Sequence, residues 1–134
     1  MFNHILIPVA PGHAGEYGRA MKSAEKMLAE GGKISILSVQ EFVPAYYDAY
    51  MPTDFVDQQF EEIKTEVRAE FAAEGPEIHV ARGHAANTIL KWVDDHSVDC
   101  IVMPSHRPGF ADFLIGSTAA RVVRHAQCSV VVLR

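Results

Sequence analysis

Two short stretches in the last third of the chain carry residue types suited to holding phosphate. Pro104-Ser105-His106-Arg107-Pro108-Gly109 offers a hydroxyl, an imidazole and a guanidinium, and Gly116-Ser117-Thr118 begins seven residues after Gly109. An arginine can chelate phosphate oxygens through its planar fork. Gly116 lets backbone approach a phosphate with no Cβ in the way. Ser117 and Thr118 open a helical stripe, and a helix start presents unpaired N–H donors and a partial positive charge. The same residues also have a simpler reading, with Ser117 as the helix N-cap and Gly116 as a turn.

Other chemistries find less support. The sequence contains no Gly-x-x-x-x-Gly-Lys-Ser/Thr and no Gly-x-Gly-x-x-Gly, so neither a P-loop nor a Rossmann site is indicated. No Asp ends the first or third expected strand, which argues against a response regulator. Pro11-Gly12-His13-Ala14-Gly15 has no hydroxyl to hold a flavin phosphate. Ser105 and His106 are adjacent with no evident orienting carboxylate, so they do not form a catalytic pair. The seven histidines are scattered, without a helical pair at i and i+4, and no metal site is expected. His125 beside Arg124 answers a helix dipole. No catalytic residue is assigned.

The elements that must position the phosphate stretches follow from the apolar pattern. Continuous apolar runs at Phe2 to Val9, Ile34 to Val39, Ile78 to Ala81, Val98 to Met103 and Cys128 to Leu133 read as strands buried on both faces. Between them, apolar residues recur at steps of three and four. Tyr17, Ala20, Met21, Ala24 and Leu28 mark a helix from Glu16 to Ala29, stopped by Gly31-Gly32. Val56, Phe60, Ile63, Val67 and Phe71 mark a second, capped by Thr53 or Asp54. Ala86, Ile89, Leu90 and Val93 mark a third, and Ala119, Val122, Val123 and Ala126 a fourth. This βαβαβαβαβ order demands a parallel sheet with right-handed crossovers and helices on both faces. In such a sheet a ligand sits outside the carboxyl ends of the strands, where the strand order switches. The loops that begin at Ala10, Gln40, Arg82 and Pro104 meet there.

Length and composition agree with one domain over residues 1–134 and with an ordinary core: 49% of residues are hydrophobic and 22% charged. Twelve Lys and Arg against seventeen Asp and Glu leave a net charge of −5, which argues against non-specific nucleic-acid binding. No apolar run approaches the ~20 residues of a membrane helix, and Met1-Phe2-Asn3-His4 does not resemble a signal peptide. The cysteines, Cys100 and Cys128, read as reduced, buried small hydrophobes of a cytoplasmic protein. Tyr46, Tyr47 and Tyr50, between Pro44 and Pro52, suggest a mobile loop or a contact surface.

Several segments together resemble the universal stress protein family. They are Ile101-Val-Met-Pro-Ser-His-Arg-Pro108, Leu114-Ile-Gly-Ser-Thr118, Val122-Val-Arg-His-Ala126 and Cys128-Ser-Val-Val-Val-Leu-Arg134, with Ile5-Leu-Ile-Pro-Val9 and Ile34-Ser-Ile-Leu-Ser-Val39 for the first two strands. The resemblance runs along the whole chain in order; it is most specific over the last 34 residues and not specific over residues 41–75. It implies an open, doubly wound, flavodoxin-like α/β domain with five parallel strands in the order 3-2-1-4-5. It also implies an adenine nucleotide, ATP or another, at the carboxyl ends of the first and fourth strands. Ser105, His106, Arg107, Gly116, Ser117 and Thr118 take the phosphate positions of that family. Pro8, Val9 and Ala10 take the ribose side, the Val39 backbone the adenine-reading position, and Met103 the floor.

The chain departs from the family pattern of Gly-x-x-Gly, nine residues, then Gly-Ser/Thr. Pro104 and Arg107 stand at the two glycines, and eight residues separate Arg107 from Gly116. The Ser-His-Arg-Pro form resembles one small bacterial branch associated with nucleotide binding. Ala10 stands where family nucleotide binders usually carry the Asp that holds the ribose. The leading expectation is a cytoplasmic stress-response regulatory protein that binds an adenine nucleotide. A nucleotide-free homodimeric interaction module of the same fold is the alternative, and a slow ATPase ranks last because no carboxylate is evident beside the phosphate residues. In the family's strand order, Val130, Val131, Val132 and Leu133 form an apolar sheet edge, which predicts a homodimer paired through that strand. Neither nucleic acid nor membrane is an expected partner.

Overall fold

Strand and helix alternate as the apolar pattern requires. The computed structural model describes residues 1–10, 14–41, 53–71, 76–104 and 116–134. Its elements are β1 (Phe2–Val9), α1 (Ala14–Met27), β2 (Leu28–Gln40), α2 (Thr53–Phe71), β3 (Glu77–Arg82), α3 (Ala85–Asp95), β4 (Cys100–Pro104), α4 (Ser117–His125) and β5 (Ser129–Leu133). The five strands form one sheet in the order β3-β2-β1-β4-β5, and every neighbouring pair is parallel. The fold class and strand order are those expected.

The parity of each strand divides the core into two layers, because successive side chains point to opposite faces. Ile5 and Ile7 of β1, Ile36 of β2, and Cys100 and Val102 of β4 pack with Tyr17, Ala20 and Ala24 of α1 and Val67 of α2. Leu6, Leu37, Ile101 and Met103 point the other way, onto Ala86, Ile89 and Val93 of α3 and Ala119 and Val122 of α4. The central strands are therefore apolar at consecutive positions: Ile5, Leu6 and Ile7 are all fully buried.

The largest boundary difference from the sequence reading lies between α1 and β2. The helical stripe was expected to run to Ala29 and to end at Gly31-Gly32, yet α1 ends at Met27 and Leu28 already pairs with Phe2 across the sheet. The register then shifts between Phe2 and His4. The two glycines lie in this irregular start of β2. Gly31 has φ +76°, a conformation that L side chains rarely adopt. A Cβ on Gly32 would come within 3.0 Å of the Asn3 carbonyl of β1. The Gly-Gly pair thus accommodates a strand irregularity rather than capping a helix.

The cysteines are free, with Cys100 buried and Cys128 half-buried. Burial, reinforced by Cys128 and Asp99, pushes the Cys100 thiol up to about 11. Since the thiolate is the nucleophile, Ellman's reagent at pH 8 is expected to leave Cys100 unmodified in the folded chain and to react with it in urea. Prompt reaction of Cys100 without denaturant would contradict this burial.

Candidate functional site

Of the expected ligand residues, Pro8, Val9, Val39 and Met103 stand at the carboxyl edge of the sheet. β1 runs between β2 and β4, and the chain moves outward through β2 and β3 before crossing back to β4, so the topological switch falls between β1 and β4. Pro8 and Val9 end β1, with Val9 level with Ser38 of β2, so Val39 lies one residue beyond on the neighbouring strand. Leu6 is level with Ile101. Two residues further along each strand stand Pro8 and Met103. Pro8 and Val9 are half-buried and Ala10 is exposed. Val39 is half-buried against the α3–α4 layer, and Met103 is a buried member of that layer.

The end of β2 is held by a tie that residue types alone did not reveal. The Gly83 N–H donates to the Gln40 carbonyl at 2.8 Å. Gly83 has φ +148°, which glycine adopts far more readily than other residues, and its position is buried. The loop after β3 is thereby fastened beside Val39. At the next helix, the His84 side chain accepts from the Asn87 N–H and caps α3.

At the start of α4 the N-cap is Gly116, not Ser117. The Gly116 carbonyl accepts the Ala120 N–H at 2.9 Å, and Ser117 is the first helical residue. A glycine N-cap has no side chain of its own to bond the N–H groups of the first turn. Gly116 has φ −57° and ψ 153°, backbone angles open to any residue. The backbone conformation does not demand glycine here. Gly116 and Ser117 are exposed and Thr118 is half-buried. No acidic residue stands in the first turn of α4, whereas Arg124 and His125 occupy the last, as the helix dipole favours. Arg121 reaches across to α3, donating from Nε to the Asn87 side-chain oxygen.

Ser105, His106 and Arg107 lie outside the described residues, as do Tyr46, Tyr47 and Tyr50. Among the described residues no cluster of three or more His, Cys, Asp or Glu has metal-binding geometry, and no helix is long and apolar enough to cross a membrane. Val130 to Leu133 are half-buried on β5, which pairs with β4 and ends the sheet.

The sequence reading missed a second cluster. The histidines, scattered in sequence, include three that the fold gathers on the α3 face near the amino ends of the strands. His96 stacks on Trp92 with ring centroids 3.8 Å apart and planes 14° apart. His79 lies 5.1 Å from the same indole and His4 5.8 Å, edge-on. His4 is buried. Parallel crossovers bring residues 4, 79 and 92–96 side by side, and no local spacing signals it.

Comparison with known proteins agrees with this architecture. The family model described as Universal stress protein family matches residues 1–134. A universal stress protein of Methanocaldococcus jannaschii is 28% identical over 120 residues, covering 86% of this chain and 71% of that protein. The solved structure of universal stress protein UspA from Lactobacillus plantarum superposes with a TM-score of 0.70 at 23% identity, covering 98% of this chain and 97% of its own. A universal stress protein solved in complex with cAMP has a TM-score of 0.62 at 18% identity, covering 99% and 97%. The chain belongs to the universal stress protein family.

Proposed function

We propose that this chain is a cytoplasmic, stress-linked regulatory protein that binds an adenine nucleotide across the carboxyl ends of β1 and β4. The observation that carries the reading is the start of α4, where an exposed glycine N-cap leaves first-turn N–H groups without a side-chain partner of its own. A family relative solved with cAMP supports the ligand class. In this reading the phosphates lie against Gly116, Ser117 and Thr118, with Ser105, His106 and Arg107 facing them. The ribose lies over Pro8 to Ala10, and the base lies along the Val39 backbone above Met103.

The test is direct. The purified protein is denatured and the supernatant read for ultraviolet absorbance of released nucleotide, and calorimetry follows with ATP, AMP and cAMP. Saturable binding of any of them is the expected result. No heat and no saturation at millimolar nucleotide, at two temperatures, would refute the reading. Arg107→Ala should weaken ATP by roughly 1.5–3 kcal/mol if the guanidinium makes a charged hydrogen bond, and adenosine much less, since adenosine has no phosphate.

The exposed Ala10 favours a second reading. It offers no carboxylate to the ribose, as a nucleotide-free module would not need to. That module would act through a homodimer in which β5 pairs with its copy. The half-buried Val130 to Leu133 occupy a sheet edge, and an uncovered apolar edge invites pairing. Light scattering at high micromolar concentration is expected to give the mass of a dimer, and Val132→Glu to shift it to a monomer. A wild-type monomer would refute the pairing.

A further inference from the structure

The cluster around Trp92 lies away from the proposed nucleotide site, near the opposite end of the sheet. We infer that buried His4, with His79 and His96 around the Trp92 ring, is an acid-responsive catch that holds β1, β2 and the end of α3 together while neutral and loosens them when protonated.

The tautomer follows from its partners. His4 Nδ1 lies 3.0 Å from the His96 carbonyl oxygen, which can only accept, so Nδ1 carries the hydrogen. His4 Nε2 lies 2.9 Å from Ser35 Oγ and, in the neutral ring, accepts the serine hydrogen. One buried imidazole therefore ties β1 to β2 and to the residue that caps α3, with both nitrogens satisfied. The main chain tightens the same point. The His4 N–H donates to Asp99 Oδ1 at 3.0 Å, and the Asp99 N–H donates to the His4 carbonyl at 3.0 Å.

Protonation disturbs this knot. The added hydrogen makes Nε2 a donor, so its bond to Ser35 Oγ survives only with the serine hydrogen turned away, and a charge is placed in a buried site. Charged and titratable groups face His4 from each packed element: Lys33 from β2, His96 from the end of α3 and Asp99 ahead of β4. His79, 3.7 Å from Glu77, approaches the shared indole from β3. Burial is the main influence and holds the His4 imidazole below its ordinary range. Lys33 and His96 add to that, while the His96 carbonyl and Asp99 oppose it. A histidine with a lowered native value contributes stability that is full above its unfolded value, ordinarily about 6.5, and is lost as pH falls through the native one.

Trp92 is the chain's single tryptophan and sits inside the cluster, so its emission reads the catch directly. The full chain is unfolded in urea at pH 7.5 and 5.5, followed by circular dichroism and by Trp92 fluorescence. A histidine kept neutral in the native state raises the unfolding equilibrium constant by up to about tenfold between these pH values. His4→Asn keeps a side-chain N–H but cannot titrate, and is expected to remove that share of the pH dependence. In the wild type, the His4 ring followed by nuclear magnetic resonance should titrate below the unfolded value, with Trp92 emission changing in step. His79→Gln combined with His96→Gln should diminish the emission change and leave the His4 titration low. Equal pH dependence of unfolding in the wild type and His4→Asn would overturn the inference. So would a His4 ring that titrates at the ordinary value, and that measurement stands even if His4→Asn fails to fold.

Discussion

Replacing Gly116 with valine is expected to abolish nucleotide binding while leaving the fold intact. The backbone at 116 already has φ −57° and ψ 153°, which valine adopts without strain. The position is exposed, so the new side chain is not forced into the core. Valine is a poor N-cap, and α4 should lose at most about 1 kcal/mol. At the proposed site the effect is much larger. A branched side chain would stand over the first-turn N–H groups that a phosphate must reach, excluding the ligand rather than removing one bond. Calorimetry with ATP should show affinity falling more than about a hundredfold, which is at least ~2.7 kcal/mol, with a melting temperature within a few degrees of the wild type. Binding that survives unchanged would place the site elsewhere. Ala10→Asp is the converse: a carboxylate restored beside the ribose should tighten binding by about 1 kcal/mol per hydrogen bond gained.

Leu6→Ala should do the opposite, lowering stability sharply with no direct effect on the ligand. Leu6 is fully buried on the central strand β1 and packs in one layer with Ala86, Ile89 and Val93 of α3 and Ala119 and Val122 of α4. Truncation removes apolar surface and leaves a cavity that α3 and α4 cannot both close, because each is also fixed to neighbouring strands. Changes of this kind cost about 2–5 kcal/mol. Urea unfolding should show an earlier midpoint with an unchanged slope. A loss below ~1 kcal/mol would mean that the two helices collapse onto the gap. Together the two variants separate a defect at the proposed site from a general loss of folded protein.

The sequence was sufficient for the pattern of elements and for the strand ends, Pro8, Val9, Val39 and Met103, that stand at the carboxyl edge. Ile5-Leu6-Ile7 and Cys100-Ile101-Val102 are apolar at consecutive positions because both faces of those strands are covered, and that is visible without coordinates. The start of the last helix was legible in part. Gly116-Ser117-Thr118 does begin α4, but the cap is Gly116, since cap identity depends on which carbonyl accepts the first helical bond. The end of α1 was misplaced because Leu28 satisfies the helical period and only its pairing with Phe2 makes it strand.

Tertiary structure alone decided the rest. The Gly83–Gln40 tie joins the loop after β3 to the end of β2, with α2 and β3 between them in sequence. The grouping of His4, His79 and His96 around Trp92 depends on register across β1, β2 and β3 and on where α3 stops. Local sequence fixes a period of two or of three to four residues, but it does not fix which residue of one strand stands beside which residue of the next. That choice is made by the packing of whole layers. It brings histidines far apart in the chain around one tryptophan ring, with His4 buried and hydrogen-bonded, His79 half-buried and His96 exposed.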